Sequence, residues 1–142
     1  MPNSWASSNV GASIIVSASI WNISFGESLK LRPVGHHSHQ PQPIEVCQGK
    51  PILYSLANFV HDLDGFRRRT LMALLVRCFI SDGKIQRLSY VPGILRGQGP
   101  PDFARPAQVP EVVQRMSAMS APFGTRFEVG DEEVAVALEP AT

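Results

Sequence analysis

The sequence predicts an α/β fold that is rich in strands and contains one helix. Apolar, β-branched runs alternate with short turn segments through most of the chain, and one stretch near the end has a helical period instead. The chain has 142 residues, of which 44% are hydrophobic, so it is long enough to bury one modest core. We therefore expect one domain of strands joined by tight turns, preceded by a short strand at residues 13–17.

Two hairpins are predicted in the middle of the chain. The first turns at Gln48-Gly49-Lys50, where glycine supplies a positive φ between the strand-like runs on either side. The second turns at Ser81-Asp82-Gly83-Lys84, because Asp-Gly suits a two-residue primed turn. Its strands are residues 71–80 and 85–91, and the first of these is apolar at nearly every position, which predicts burial on both faces.

The C-terminal part is predicted to hold a loop, a helix and a closing hairpin. Residues 93–106 are rich in glycine and proline and are expected to form a connecting loop. A helix is predicted from Pro110, which suits the first turn, and Glu111 lies favourably near the positive end of the helix dipole. Its apolar stripe, interpreted as core packing, is formed by Val112, Val113, Met116 and Met119. Residues 123–128 and 134–138 are expected to pair as the last hairpin.

Composition argues against several classes of function. Thirteen Lys and Arg residues against twelve Asp and Glu give a net charge of +1, so no strong field attracts nucleic acid, and no nucleic-acid partner is expected. Cys47 and Cys78 form no CxxC pair, so we interpret them as free thiols buried in apolar strands. No apolar run is long enough to span a bilayer, and the N-terminus lacks the basic region that opens a secretory signal.

The candidate site is a Gly-His-His-Ser-His run that contains three of the four histidines, His36, His37 and His39. Neutral imidazole is the commonest protein ligand for borderline transition metals, so the run indicates a metal site. An extended segment would project His37 and His39 to one side, whereas a helical turn would bring His36 and His39 together, so either pair could chelate. Asn58 and Asp62 follow the next hairpin and would supply oxygen ligands or hydrogen-bond acceptors to the same site.

A longer series of short motifs gives these residues a family context. In order, the chain contains Gly35-His36-His37-Ser38-His39, Pro43-Ile44-Glu45-Val46, Gly49-Lys50-Pro51 and Tyr54-Ser55-Leu56-Ala57-Asn58-Phe59. This series resembles the CapA capsule-synthesis family, also called the poly-γ-glutamate biosynthesis family, which is related to calcineurin-like metallophosphoesterases. The resemblance extends over roughly residues 34–130, and the whole series is far more specific than its parts.

The resemblance implies the C-terminal part of a layered α/β sandwich of metallophosphoesterase type. It implies that loops at strand ends hold divalent metal ions, Mn, Fe or Zn, as a dinuclear centre in the full-length parent. His36 and His39 are then the metal ligands, with His37 as the alternative, and Asn58 and Asp62 are the candidate catalytic residues that line the same pocket. The implied substrate is an anionic polymer or a phosphoester, the implied partner is a capsule synthase complex, and the implied location is the cell envelope or extracytoplasmic space.

The chain also departs from the family pattern. Ala57 stands where the family usually has glycine, so a positive φ at this position would be strained. Residues 1–33 match the family poorly, and its early motifs, which supply aspartate, asparagine and further histidine ligands, have no counterpart here. We therefore expect residues 34–142 to be the C-terminal portion of a CapA-like domain that is inactive alone, with self-association through an open sheet edge.

Two alternative functions remain open on the sequence alone. The first is a non-enzymatic accessory role in capsular polymer assembly or export, in which the fold presents a surface to the polymer or to synthase partners. The second is a structural metal-binding module whose histidines capture one zinc ion without chemistry. Polymer binding that survives chelation would indicate the first, and one metal equivalent with a higher melting temperature would indicate the second.

Overall fold

A computed structural model describes residues 12–16, 38–59, 70–82, 84–96 and 99–139. The elements in these ranges are β1 Ala12–Val16, β2 Ile44–Cys47, β3 Lys50–Leu53, β4 Thr70–Ser81, β5 Lys84–Arg96, β6 Asp102–Phe103, α1 Pro110–Ser120, β7 Phe127–Val129 and β8 Val134–Val136. Single turns of 3-10 helix at Pro106–Gln108 and Ala121–Phe123 flank α1. The prediction of a strand-rich chain with one helix is therefore confirmed for the described part.

The strands form a six-stranded and a two-stranded antiparallel sheet. The larger sheet has the order β1-β4-β5-β8-β7, and β6 pairs with the same edge of β5 as β8, farther along the strand. Its centre is the long β4–β5 hairpin, whose pairing runs from Thr70 opposite Arg96 to Ser81 opposite Lys84. The smaller sheet consists of β2 and β3 alone. These two strands carry the segment on which the candidate site lies.

Both predicted hairpin turns are confirmed. Cys47 pairs with Lys50, and the two residues between them, Gln48 and Gly49, have φ values of 53° and 71°. Positive φ at both central residues is the signature of a type I′ turn, whose twist matches that of the strands it joins. In the second turn Asp82 has a φ of 52°, again as a primed turn requires. Its neighbour Gly83 lies outside the described residues.

The prediction of a loop over residues 93–106 is wrong for its first four residues and for β6. Strand β5 continues to Arg96, and the carbonyl of Pro92 accepts a hydrogen bond from the Ala104 N–H at 3.0 Å. Gly93 lies directly beside the ring of Phe103, because a Cβ at this glycine would be only 2.7 Å from the Phe103 Cδ1 atom. The glycine thus allows the neighbouring strand to approach closely. In the sequence alone, a glycine with this role cannot be told from a glycine in a turn.

Helix α1 packs its apolar stripe against the sheet, as predicted. Val112 and Met116 are fully buried, and Met119 packs against the same cluster. The expected burial of both faces of β4 holds over residues 71–76, whereas Arg77 and Phe79 are exposed. The last hairpin is also confirmed as β7 and β8, although residue 123 belongs to the 3-10 turn and not to the strand. Within the described ranges, no helix has the length and apolar character needed to cross a membrane.

Candidate functional site

The pairing of β2 with β3 continues past the ends of these strands toward the candidate site. The Gln42 N–H donates to the Ser55 carbonyl at 3.0 Å, and Pro41 forms an isolated bridge with Leu56. The register set at the Gln48-Gly49 turn is therefore kept for several residues beyond the hairpin. The extension brings the loop that follows the histidine run next to the loop that follows β3.

His39 and Asn58 meet at the end of this extension. The His39 Nδ1 and Asn58 Oδ1 atoms lie 2.8 Å apart. His39 is nine residues before Gln48 and Asn58 is nine residues after Gly49, so the two occupy matching positions about the turn. The spacing about the predicted hairpin is thus a sequence signal that pairs these two residues. Both residues are predicted site residues on their motifs alone, without this spacing.

The hydrogen bond determines how the His39 ring can act. An amide oxygen only accepts, so His39 donates from Nδ1, and in the neutral ring the lone pair is then on Nε2. Metal-binding histidines usually donate their other ring N–H to an oxygen acceptor, which fixes the tautomer and the orientation of the ring. Asn58 Oδ1 fits that role. The hydrogen bond therefore fixes the tautomer and the orientation of the His39 ring.

The backbone on both sides of this hydrogen bond is left-handed. His39 has a φ of 56° and Ala57, directly before Asn58, has a φ of 66°. The alanine thus has the positive φ that is predicted to be unfavourable here, and such a conformation costs about 1 to 2 kcal/mol relative to a right-handed one. Ala57 is buried, forms a bridge with Ala73 of β4, and donates its N–H to Ser55 Oγ at 3.2 Å. These contacts hold the strained backbone in place.

The other predicted site residues, His36, His37 and Asp62, lie outside the described residues. Among the residues that are described, no three His, Cys, Asp or Glu side chains come close enough together to hold a metal ion. The described part of the site therefore consists of one imidazole and the amide that orients it. Asn58 also carries a buried amide nitrogen, Nδ2, for which the described part of the chain offers no hydrogen-bond partner.

The loop at His39 is fastened on its other side by helix α1. Ser38 Oγ donates to the Gln40 carbonyl at 2.7 Å, so the residues on both sides of His39 are joined. Arg115 of α1 then donates from Nη2 to Gln40 Oε1 at 3.2 Å. Arg115 is not predictable as a site residue from the sequence, because it lies on the exposed face of the predicted helix and 75 residues from Gln40. No local pattern relates the two.

The end of α1 also holds strand β2 beside the site. The Ile44 N–H donates to Ser120 Oγ at 3.1 Å, and Thr125 Oγ1 donates to the Ile44 carbonyl at 2.7 Å. Ile44 is 1% exposed and Ser120 is 0% exposed, so both backbone groups of a buried residue are satisfied by side chains rather than by another strand. These two hydrogen bonds, which we call the Ile44 clasp, join the hairpin to the C-terminal part of the chain.

The two cysteines, Tyr54 and Glu45 take no part in the hydrogen bond between His39 and Asn58. Both cysteines are free thiols, and burial raises the pKa of Cys78 to about 11, so this thiol is protonated near neutral pH and is a poor metal ligand or nucleophile. Tyr54 donates from its hydroxyl to Glu45 Oε2 at 2.6 Å. This hydrogen bond is the main reason that the pKa of Tyr54 is raised. Glu45 is therefore engaged with the residue that directly follows β3.

Comparison with known proteins places the site in a family context. Residues 34–63 match the family model of the bacterial capsule synthesis protein PGA_cap. This match confirms the resemblance to the capsule-synthesis family over the segment that contains His39 and Asn58. Two proteins from strains of Mycobacterium tuberculosis, each named "Probable polyglutamine synthesis accessory protein", are 55% identical to this chain over 31 residues. That alignment covers 22% of this chain and 8% of each relative, so the matched segment is a small part of those proteins.

Proposed function

We propose that this chain is part of a bacterial capsule or poly-γ-glutamate synthesis protein, and that His39 and Asn58 form one side of a divalent metal site. The 2.8 Å hydrogen bond between His39 Nδ1 and Asn58 Oδ1 carries the proposal, because it orients an imidazole as metal-binding histidines are oriented. The family match supports it, since residues 34–63 include both side chains. The names of the two relatives, which refer to polyglutamine synthesis, support a role in the synthesis of a polymer.

In this proposal His39 is a metal ligand through Nε2, and Asn58 keeps the ring in the required tautomer and orientation. His36, His37 and Asp62 are proposed as further ligands or pocket residues from the same matched segment. A bound Mn, Fe or Zn ion would polarise a phosphoryl oxygen and lower the pKa of its bound water. The parent is proposed to be a layered metallophosphoesterase-type hydrolase with a dinuclear centre, located in the cell envelope and associated with a capsule synthase complex.

The chain alone is proposed to bind metal without turning over substrate. A dinuclear hydrolytic centre needs a bridging carboxylate and several ligands from both halves of its sandwich. The residues proposed here, His36, His37, His39, Asn58 and Asp62, come from a single segment. We therefore expect one weakly or moderately bound cation per chain and no phosphodiester hydrolysis above background.

The test is calorimetric titration of the full chain with Mn²⁺ and with Zn²⁺. His39→Ala is expected to abolish measurable binding or weaken it by more than tenfold, and Asn58→Ala to weaken it about 10-fold to 100-fold, as loss of an orienting partner does elsewhere. His61→Ala, which changes the one histidine outside the cluster, is the matched control. Wild-type affinity in His39→Ala would overturn the metal-site proposal. A colorimetric phosphodiester assay with Mn²⁺ tests inactivity, and turnover that is lost in His39→Ala would contradict it.

A non-enzymatic role in polymer assembly is the second candidate, and the word "accessory" in the names of both relatives favours it. In that role the fold presents a surface to poly-γ-glutamate or to synthase partners. Binding of poly-γ-glutamate to the immobilised chain distinguishes the two functions, since polymer binding that persists in EDTA indicates an accessory surface. Polymer binding that requires metal and His39 indicates the metal site.

A further inference from the structure

Helix α1 places a positive charge on the side chain of the residue that follows His39. Arg115 Nη2 donates to the amide oxygen of Gln40 at 3.2 Å, and Gln40 directly follows His39 in the chain. Gln40, which Arg115 contacts, is therefore the chain neighbour of His39, the proposed metal ligand. The Cα atoms of two such neighbours are about 3.8 Å apart. Helix α1 lies outside residues 34–63, which are the part matched by the family model.

Arg115 differs from the described arginines that lie in ion pairs. Arg77 and Arg87 both bind the carboxylate of Glu133, and Arg105 pairs with Glu132. Arg115 pairs with no carboxylate in the described part of the chain, and its hydrogen bond there is to a neutral amide. The positive charge of Arg115 is therefore not neutralised by any carboxylate in the described part of the chain.

The Gln40 contact orients the guanidinium without using up its donors. A guanidinium has five N–H donors in a fixed planar fork, and Gln40 takes one of them. Gln40 is itself held, because Ser38 Oγ donates to its carbonyl at 2.7 Å and accepts from its N–H at 3.4 Å. The remaining donors suit the planar, bidentate recognition of a phosphate or a carboxylate.

We propose that Arg115 is a substrate-binding residue that receives an oxyanion group of the substrate at the His39–Asn58 site. This inference rests on the proposed function, from which it takes the role of the site. The oxyanion contact itself requires no metal. The shared chemistry is a phosphate or a carboxylate, as would be presented by a phosphoester or by an acidic polymer. The C-terminal helix would then contribute specificity to a site whose other residues come from residues 34–63.

The test is NMR titration of the metal-free full chain in EDTA with inorganic phosphate and, separately, with glutarate. The signals followed are the His39 ring, the Asn58 side-chain amide and the Arg115 Nε–H group. At least one probe is expected to shift all three signals in a saturable way, and the probe that binds more tightly identifies phosphate or carboxylate as the preferred group. If neither probe shifts them, the proposal is overturned.

Variants separate the charge of Arg115 from its contact with the loop. Arg115→Gln is expected to weaken oxyanion binding at least tenfold, and Arg115→Lys to weaken it less, because the charge remains while the fork is lost. Gln40→Ala keeps the charge and the donors of Arg115 but removes the group that orients them, and it is expected to weaken binding by less than Arg115→Gln does. Arg96→Gln, at another exposed arginine, is the matched control. Wild-type affinity in Arg115→Gln, or an equal loss in Gln40→Ala, overturns the proposal.

Metal titration of the same variants distinguishes this inference from the proposed function. Arg115→Gln is expected to keep Mn²⁺ affinity within a few-fold of the wild type, because Arg115 is not a ligand and the His39–Asn58 hydrogen bond does not involve it. If His39→Ala binds Mn²⁺ normally while Arg115→Gln loses phosphate or glutarate, the metal-site proposal fails and the oxyanion site stands. If Arg115→Gln keeps oxyanion binding while His39→Ala loses Mn²⁺, the opposite holds.

Discussion

Ala57 shows how the conformation of a single residue supports the candidate site. Its φ of 66° turns the chain so that the next residue, Asn58, faces His39. The related family usually has glycine at this position, and glycine adopts positive φ without steric cost. Here the turn is kept with an alanine, and the buried contacts of Ala57 with Ser55 and Ala73 offset the strain.

The strain at Ala57 can be measured against a second buried alanine. Ala57→Gly and Ala73→Gly each remove a buried methyl group and each make the unfolded chain more flexible, but only Ala57 has positive φ. We expect Ala57→Gly to be more stable than Ala73→Gly by about 1 to 2 kcal/mol, the strain that glycine releases. Urea unfolding of both variants measures this difference. Equal free energies of unfolding would show that Ala57 is not strained.

Helix α1 is the element that holds the site together, although it lies far from it in the sequence. Arg115 contacts the loop next to His39, and Ser120, the last residue of the helix, provides half of the Ile44 clasp. The helix also buries Val112 and Met116 against the larger sheet. It therefore fastens the two-stranded sheet to the main core, in addition to the direct hydrogen bond from the Leu74 N–H to the Leu56 carbonyl at 3.3 Å.

Removing the clasp at Ser120 is expected to destabilise the protein. Ser120→Ala leaves the Ile44 N–H buried without a partner, which costs about 1 to 3 kcal/mol. Thermal or urea unfolding measures the loss, and NMR of the Ile44 amide reports whether the effect is local. Ser117→Ala is the matched control, because Ser117 lies on the exposed face of the same helix. A loss at Ser117 as large as that at Ser120 would contradict the assignment of the clasp.

At the scale of the molecule, the described sheet ends at β7, which is short and carries an exposed apolar residue. Val129 is 61% exposed, and β7 pairs with β8 on one side. Edge strands with apolar side chains favour pairing with another copy. Strand β7, with Val129, is therefore the surface at which we expect the self-association that the sequence predicts.

Light scattering after size exclusion, over a range of concentrations, tests this prediction. We expect the wild type to form dimers or larger species, and Val129→Lys to weaken their association about tenfold or more, because a charged lysine on an edge strand opposes pairing. Phe123→Lys is the control, since Phe123 is also apolar and 43% exposed but lies outside the strand. A wild type that stays monomeric at every concentration, or an equal effect of Phe123→Lys, would show that β7 is not the surface.

Local patterns predicted the elements of this molecule well, and long-range contacts account for what they missed. The turns at Gln48-Gly49 and Asp82, and the helix from Pro110, depend on residues that are adjacent in the chain. Gly93 was interpreted as part of a loop because its role as a strand residue depends on Phe103, which no turn pattern reveals. The site was similarly half predicted, since His39 and Asn58 were selected from their motifs while the contact of Arg115 required the folded helix.

The Ile44 clasp has a consequence for the order of events during synthesis. Its hydrogen bonds join residues 76 and 81 positions apart, so neither can form until the ribosome has made most of the chain. Contacts between such distant residues are slow to form, because the entropy of a long loop is lost before they stabilise it. The clasp therefore forms after the hairpin that it fastens, and a nascent polypeptide stalled before Ser120 would leave the Ile44 N–H and carbonyl without these two partners.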